Sequence, residues 1–147
     1  PEPHHTEGKD ELVPPEQIKR HIFCVGQAYF ALLNHRRENN IKDVAISRIE
    51  QISPLDYEAI AQALDKYPNS DLMYAQEEPL NNGAWLYLEP RLRMTCNQTE
   101  HHKHEVFMVS SRPPSSSVAT GYKLTHLQEL KAYVEGAFDP NRVPYDG

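Results

Sequence analysis

Ile18-Lys19-Arg20-His21-Ile22-Phe23-Cys24-Val25-Gly26-Gln27-Ala28-Tyr29-Phe30-Ala31-Leu32-Leu33-Asn34-His35-Arg36-Arg37-Glu38-Asn39 is the stretch on which the fold turns. Its first part, Ile18 to Val25, is a β-branched and apolar run of strand length that stops at Gly26. From Gln27 to Asn39 the apolar residues Ala28, Tyr29, Ala31, Leu32 and Leu33 give way to a polar last turn, as in a helix with a solvated end. Arg36 and Arg37 suit the negative end of that helix's dipole. A strand leading through one glycine into a helix is half of a βαβ unit, and the same alternation recurs downstream. Val44 to Ile49 reads as a second strand. Ser53 reads as a capping hydroxyl before Pro54, with a helix from Leu55 to Lys66. Leu72 to Ala75 reads as a short third strand, and Gly83 to Leu92 as a third helix. Val106 to Ser110 reads as a fourth strand, and Thr125 to Phe138 as a closing helix with Leu127, Leu130, Val134 and Phe138 on one face. Four such alternations predict a three-layer α/β domain, its mostly parallel sheet covered by helices on both faces. Ligands in such sheets bind at the carboxyl ends of the strands, so Gly26, Gln51, the Gln76 to Pro79 segment and Arg112 should gather on one side.

The 147 residues suit one domain. Its expected limits are residues 18–138, preceded by an extended lead-in or linker over 1–17 and followed by a tail over 139–147. A chain of this size buries roughly 68 to 70% of its unfolded surface, so Cys24 and Cys96 need no disulfide. Fifteen Lys and Arg against 21 Asp and Glu give a net charge of −6, the wrong sign for neutralising nucleic-acid phosphates or an anionic membrane. No apolar run approaches the ~20 residues of a bilayer span, and the start resembles no targeting segment. The absence of an initiator Met is expected of a processed chain or of a piece of a longer one.

Chemistry-bearing patterns are sparse. Gly26 alone is neither a dinucleotide fingerprint nor a P-loop, and Gly-x-Ser-x-Gly is absent. His101, His102 and His104 lie near Cys96, a set that can hold zinc. Adjacent histidines point apart, however, and no Cys-x-x-Cys pair is present, so an exposed polar loop is the expectation and no metal ligand is assigned. Asn97-Gln98-Thr99 matches a glycosylation acceptor too short to carry weight. Glu77 and Glu78 alternate faces in extended chain and have no nucleophile beside them, which predicts an ion pair with Arg48 or Arg112 across the strand ends. The residues by themselves assign no catalytic group.

Three blocks carry a resemblance. Asp43-Val44-Ala45-Ile46-Ser47-Arg48-Ile49-Glu50-Gln51, then Gln76-Glu77-Glu78-Pro79-Leu80-Asn81-Asn82-Gly83-Ala84-Trp85, then Arg112-Pro113-Pro114-Ser115-Ser116-Ser117-Val118-Ala119-Thr120-Gly121-Tyr122 resemble, in order, the C-terminal domain of the decarboxylating component of 2-oxoglutarate dehydrogenase. They resemble its 2-oxoadipate relative less closely. The resemblance implies a transketolase-type C-terminal fold within an oxidoreductase that uses thiamine diphosphate and magnesium. That enzyme decarboxylates 2-oxoglutarate and passes the succinyl group to a lipoyl arm of a succinyltransferase partner. It further implies that cofactor, metal and substrate are bound by upstream domains across a homodimer, in the mitochondrial matrix of eukaryotes or the bacterial cytoplasm. No catalytic or cofactor-binding residue is then expected in this chain. Arg48, Glu77, Glu78, Asn81, Trp85 and Arg112 would organise strand-end loops and interfaces.

Some bacterial relatives bind acetyl-CoA as an activator through the Gln that corresponds to Gln51 and through nearby arginines. Here Glu58 and Ala59 stand at the arginine positions, which implies that this effector site is lost or weakened. Val25, Gln27, Asp56 and Ser111 also depart from the family's usual residues. The competing expectation is a non-catalytic module that binds an acyl-CoA or another anion at the strand ends.

Overall fold

The computed structural model describes residues 12–112, 123–142 and 144. The expected serine-rich loop over 113–117, the start of the lead-in and most of the tail lie outside these residues. Four strands, β1 (Arg20–Val25), β2 (Val44–Ile49), β3 (Asp71–Pro79) and β4 (Met108–Arg112), alternate with α1 (Ala28–Glu38), α2 (Tyr57–Lys66), α3 (Trp85–Cys96) and α4 (Lys123–Ala137). The strands form one sheet in the order β2-β1-β3-β4, and every pairing is parallel. Strand periodicity sorts the core. Ile22, Cys24, Ile46, Met73 and Ala75 project to one face and pack under α1 and α4. Phe23, Ile49, Leu72 and Tyr74 project to the other and pack under α2 and α3. The three layers predicted from the alternation are therefore present.

Several boundaries differ from the sequence reading, each for a local reason. Ile18 precedes β1 and packs with Ala45 and Tyr67 in a small separate cluster, because a 3-10 turn at Pro15–Gln17 bends the chain before the strand begins. Ser53 does not cap α2. Asp56 does, accepting the Ala59 N–H at 3.0 Å, while Ser53 and Pro54 occupy the preceding turn. Helix α3 runs on to Cys96, where the Thr95 hydroxyl bonds back to the Arg91 carbonyl at 2.7 Å. Strand β3 extends through Glu78 and Pro79, and its register against β4 slips between Ala75 and Pro79, so Gln76, Glu77 and Glu78 form an irregular bulge. Strand β4 starts only at Met108, because the residues before it fold back onto the end of α2.

That segment, 97–106, is exposed over most of its length, as expected of a polar loop, with two exceptions. His102 and Thr99 are fully buried. The His102 ring meets the Glu105 carboxylate at Nδ1 and the Tyr67 carbonyl at Nε2, 3.0 Å away. Both partners are acceptors, so only an imidazolium can donate to both. Burial acts to lower the His102 pKa, but the Glu105 hydrogen bond and charge and the carbonyls of Tyr67 and Leu64 outweigh it and raise the pKa. Those carbonyls end α2, where a cation also suits the helix dipole.

At the opposite flank of the same amino ends, Arg20 is buried and donates to both carboxylate oxygens of Asp71, at 2.8 and 3.2 Å. It also donates to the carbonyls of Ala137 and Asp139, at 3.1 and 2.6 Å. One guanidinium thereby fixes β1, β3 and the exit of α4 together.

Candidate functional site

With strand order β2-β1-β3-β4, the chain moves outward from β1 to β2 and then crosses back to β3. The reversal puts the topological switch point at the carboxyl ends of β1 and β3, the place where open α/β sheets hold ligands. Gly26 stands at the end of β1 with φ +61° and no atom within 4 Å of where a Cβ would sit. Next to it, β3 enters its bulge.

The centre of that bulge is Gln76, 1% exposed. Its Nε2 donates to the carbonyls of Glu78, Pro79 and Asn82 at 3.1, 2.8 and 2.8 Å. Its Oε1 accepts the Trp85 N–H at 3.2 Å, the first orphan donor of α3. A single neutral carboxamide therefore closes the β3-to-α3 loop on itself. Gly83 completes the turn at φ +75°, where a Cβ would lie 3.1 Å from both Gln76 Oε1 and Glu78 Oε1. Sequence reasoning placed Gln76 in the segment but did not single it out. The available signal was a lone carboxamide directly after the apolar run Leu72 to Ala75.

The expected pairing of Glu77 or Glu78 with Arg48 or Arg112 is not what forms. Arg48 bonds Glu50 at 2.7 Å and lies over the rings of Tyr29 and Phe30, 5.2 and 5.3 Å from their centres. It thus ties the end of β2 to the first turn of α1. Arg112 is the last residue of β4 and reaches Glu129 of α4, with Nε 3.4 Å from the carboxylate. Each arginine has an acid nearer in the fold, and the Glu78 carboxylate lies beside Gly83. Trp85 is a core residue, 0% exposed, its ring stacked on Tyr74 with centres 5.1 Å apart. Asn81 is exposed. Gln51 is exposed too, its side chain 3.5 Å from the Ser53 carbonyl. Asp56 caps α2 and Glu58 lies in its first turn, so the charged side chains there are acids rather than cations.

The titratable groups beneath this face are held neutral. Burial pushes the Cys24 thiol up to about 12 despite nearby Arg48. Burial, with Glu77, Cys24 and Glu78 nearby, pushes the Tyr133 phenol up to about 12, and burial also raises Tyr74. A thiol so placed is a poor nucleophile, and these phenols exchange no proton near neutral pH. The histidines and Cys96 do not converge either: both His102 ring nitrogens are committed, and Cys96 is buried with its thiol pushed up to about 12. Among the described residues no three His, Cys, Asp or Glu side chains lie close enough together to hold a metal ion. No helix of the described residues is long and apolar enough to cross a membrane. What the arrangement can do is hold loops in shape.

Residues 2–138 match the family model described as 2-oxoglutarate dehydrogenase C-terminal. The chain is similar to the 2-oxoglutarate dehydrogenase, mitochondrial, of Schizosaccharomyces pombe, 40% identical over 128 residues that make up 86% of this chain and 12% of that protein. It is 37% identical over 128 residues to the protein of the same name from Dictyostelium discoideum, covering 87% of this chain and 12% of the relative. It is 38% identical over 131 residues to the 2-oxoglutarate dehydrogenase E1 component of Haemophilus influenzae, covering 88% of this chain and 14% of the relative. The chain spans about an eighth of the length of these curated relatives.

Proposed function

The chain belongs to the 2-oxoglutarate dehydrogenase C-terminal family, and from that premise we propose that it is the supporting domain of a thiamine-diphosphate-dependent enzyme that decarboxylates 2-oxoglutarate. The parent enzyme passes the succinyl group to a lipoyl group on its succinyltransferase partner and works as a homodimer. Its compartment follows the lineage, the mitochondrial matrix or the bacterial cytoplasm. The observation that carries this reading is the carboxyl end of the sheet, where a buried neutral carboxamide closes the loop and the buried thiol and phenols beneath it exchange no proton near neutral pH. In this reading Gln76, Arg48 and Arg112 are positioning residues, and thiamine diphosphate, when bound elsewhere in the parent, supplies the carbanion chemistry.

The test is to assay the 147-residue chain with 2-oxoglutarate, thiamine diphosphate and magnesium, alone and beside the full-length enzyme. The isolated chain should give no turnover, and Gln76→Glu in the full-length enzyme should lower the fraction of assembled dimer more than cofactor affinity. Turnover by the chain alone overturns the reading. So does micromolar binding of acetyl-CoA lost in Gln51→Ala, which would make the chain an acyl-CoA module.

A further inference from the structure

Between Cys96, where α3 ends, and Met108, where β4 begins, the chain is fastened in two different ways. Its first half is held by bonds that do not depend on the charge of a histidine. The N–H groups of Gln98 and Thr99 donate to the carbonyls of Thr95 and Cys96 at 2.9 and 3.0 Å, and the Thr99 hydroxyl donates to the Cys96 carbonyl at 2.7 Å. The Asp65 carboxylate of α2 accepts the N–H groups of Glu100 and His101 at 3.4 and 3.3 Å. Beyond His102 the chain makes a tight turn. The Glu105 N–H returns to the His102 carbonyl at 3.2 Å, and His104 sits at φ +65°, a left-handed conformation that strains a residue with a Cβ. The His104 N–H donates to the Asn97 side chain at 2.8 Å. What ties this turn to the body of the domain is the buried His102 ring, which joins Glu105 to the Tyr67 carbonyl at the end of α2.

We propose that His102 is a proton-dependent latch: with both ring nitrogens protonated it binds the 102–105 turn to the end of α2, and on losing one proton it lets the Glu105 side of the turn come loose. Both partners of the ring are acceptors, and a neutral imidazole carries one N–H, so one of the two bonds goes with the proton. The surroundings decide which. On the Tyr67 side the contact is buried, and a bare nitrogen would face a carbonyl oxygen with no water between them. On the other side the Glu105 side chain is 35% exposed, so its carboxylate can turn into water and let water reach Nδ1. The proton therefore leaves from Nδ1 to solvent, and Nε2 keeps its bond to Tyr67. Release of Glu105 leaves the strained turn at His104 without its anchor. Around the ring stand Asp65 and Lys66 at the end of α2, His21 on β1 and Cys96 at the end of α3. Asp65 is bonded to the first half of the segment, and the Lys66 ammonium lies 5.5 Å from the centre of the Tyr67 ring. Burial, then the charges of His102 and Lys66, hold His21 neutral, and burial keeps the Cys96 thiol protonated, so one proton works the latch. The turn leads directly into β4, and the entry to that strand is firm while the ring is charged and looser above its folded pKa.

The experiment is nuclear magnetic resonance of the 147-residue chain, labelled with ¹⁵N, from about pH 6 to about pH 10. Ring ¹⁵N shifts of His102 report which nitrogen carries a proton, and amide exchange, corrected for its intrinsic pH dependence, reports the turn. At the acid end both ring nitrogens should be protonated. As pH rises Nδ1 should lose its proton, and over the same titration the protection of the His104 and Glu105 amides should fall about tenfold or more, the loss of one hydrogen bond to a charged group. The amides of Thr99 and His101 should keep theirs, which separates opening of the turn from unfolding of the domain. Glu105→Gln, at a partly exposed position, removes the charge that favours the imidazolium, so both midpoints should move together to lower pH. A single protonated nitrogen at pH 6, or a ring that keeps both protons at pH 10, overturns the latch. So does a ring that loses its proton from Nε2, or one that titrates while the His104 and Glu105 amides stay protected or lose protection no more than Thr99 and His101 do.

Discussion

Replacing Gln76 by Glu changes one atom group and reverses the sense of the hydrogen bonds that close the β3-to-α3 loop. In the native chain Nε2 faces three carbonyl oxygens at 2.8 to 3.1 Å, all within a buried site. An ionised carboxylate there would confront the same oxygens with no proton to offer. The group therefore takes up a proton, and its folded pKa rises above the ordinary ~4.3 of Glu. The neutral acid supplies one donor where the carboxamide had two, leaving at least one buried carbonyl unpaired at about 1 to 3 kcal/mol. Holding the proton adds about 1.4 kcal/mol for each pH unit above ~4.3, up to the folded pKa. The sign follows from linkage: the folded variant binds more protons than the unfolded chain, so its stability falls as pH rises. With a folded pKa at or above 7 the sum at pH 7 is on the order of 5 to 7 kcal/mol, and below pH 4 only about 1 to 3 remains. Urea unfolding of variant and native chain in parallel from pH 4 to 8 measures this, with Trp85, the only tryptophan, as an intrinsic probe. Taking the difference between the two cancels every other titrating group. A Gln76→Leu control should lose stability without that slope. A Gln76→Glu difference under about 1 kcal/mol, or one flat with pH, would refute the argument that this carboxamide closes the loop.

Gly83→Ala should cost about 1 to 3 kcal/mol in the same assay, since φ +75° strains any Cβ and the added methyl meets two oxygens at 3.1 Å. His21 is fully buried, with its Nε2 2.7 Å from the Ser47 hydroxyl. Burial, then the nearby charges of His102 and Lys66, lower its pKa to about 3, so the native chain should lose on the order of 1.4 kcal/mol per pH unit as pH falls below about 6.5. In His21→Asn that acid loss should flatten. His102 works in the opposite sense: its raised pKa stabilises the fold below about 6.5, and the contribution fades as pH rises through the folded value. His102→Ala should therefore cost most at acid pH, and a larger penalty at pH 9 than at pH 6 would contradict the imidazolium assignment.

The layer order was legible because it rests on periodicity. Ile22 and Cys24 against Phe23 and Val25 divide between the two faces of the sheet as alternation requires, and α2 shows its apolar spacing openly. What periodicity does not show is the fate of a polar side chain whose partners are backbone groups. Gln76 bonds only backbone groups, and Arg20 and His102 each give part of their bonds to carbonyls; any residue supplies a carbonyl, so no sequence pattern marks those acceptors. His102 was misread for that reason: next to His101, Lys103 and His104 it looks like one more solvated residue, yet the chain turns it alone inward. The charge pairing of Glu77 and Glu78 failed for a related reason. Opposite charges are plentiful near the strand ends, and local geometry gave Arg48 to Glu50 and Arg112 to Glu129.

The two ends of the sheet solve the same problem with different chemistry. At the amino ends, the anchors are charged: Arg20 on Asp71 and two carbonyls, and the His102 imidazolium on Glu105 and Tyr67. Tyr67 also receives the ring of His21 edge-on at 4.9 Å, so two buried imidazoles share one neighbourhood. Two cations there would repel at low dielectric, and the fold keeps the charge on the histidine with two acceptors while the one beside Ser47 stays neutral. At the carboxyl ends, where this architecture builds ligand crevices, the anchor is the uncharged Gln76. A carboxamide holds the loop over a wide pH range without adding a fixed charge of its own. A charged clamp would impose a field on whatever packs there. A neutral, backbone-directed anchor on the functional side and charged clamps on the other are what a domain needs if it must present one loop in a fixed shape and leave the chemistry to its neighbours.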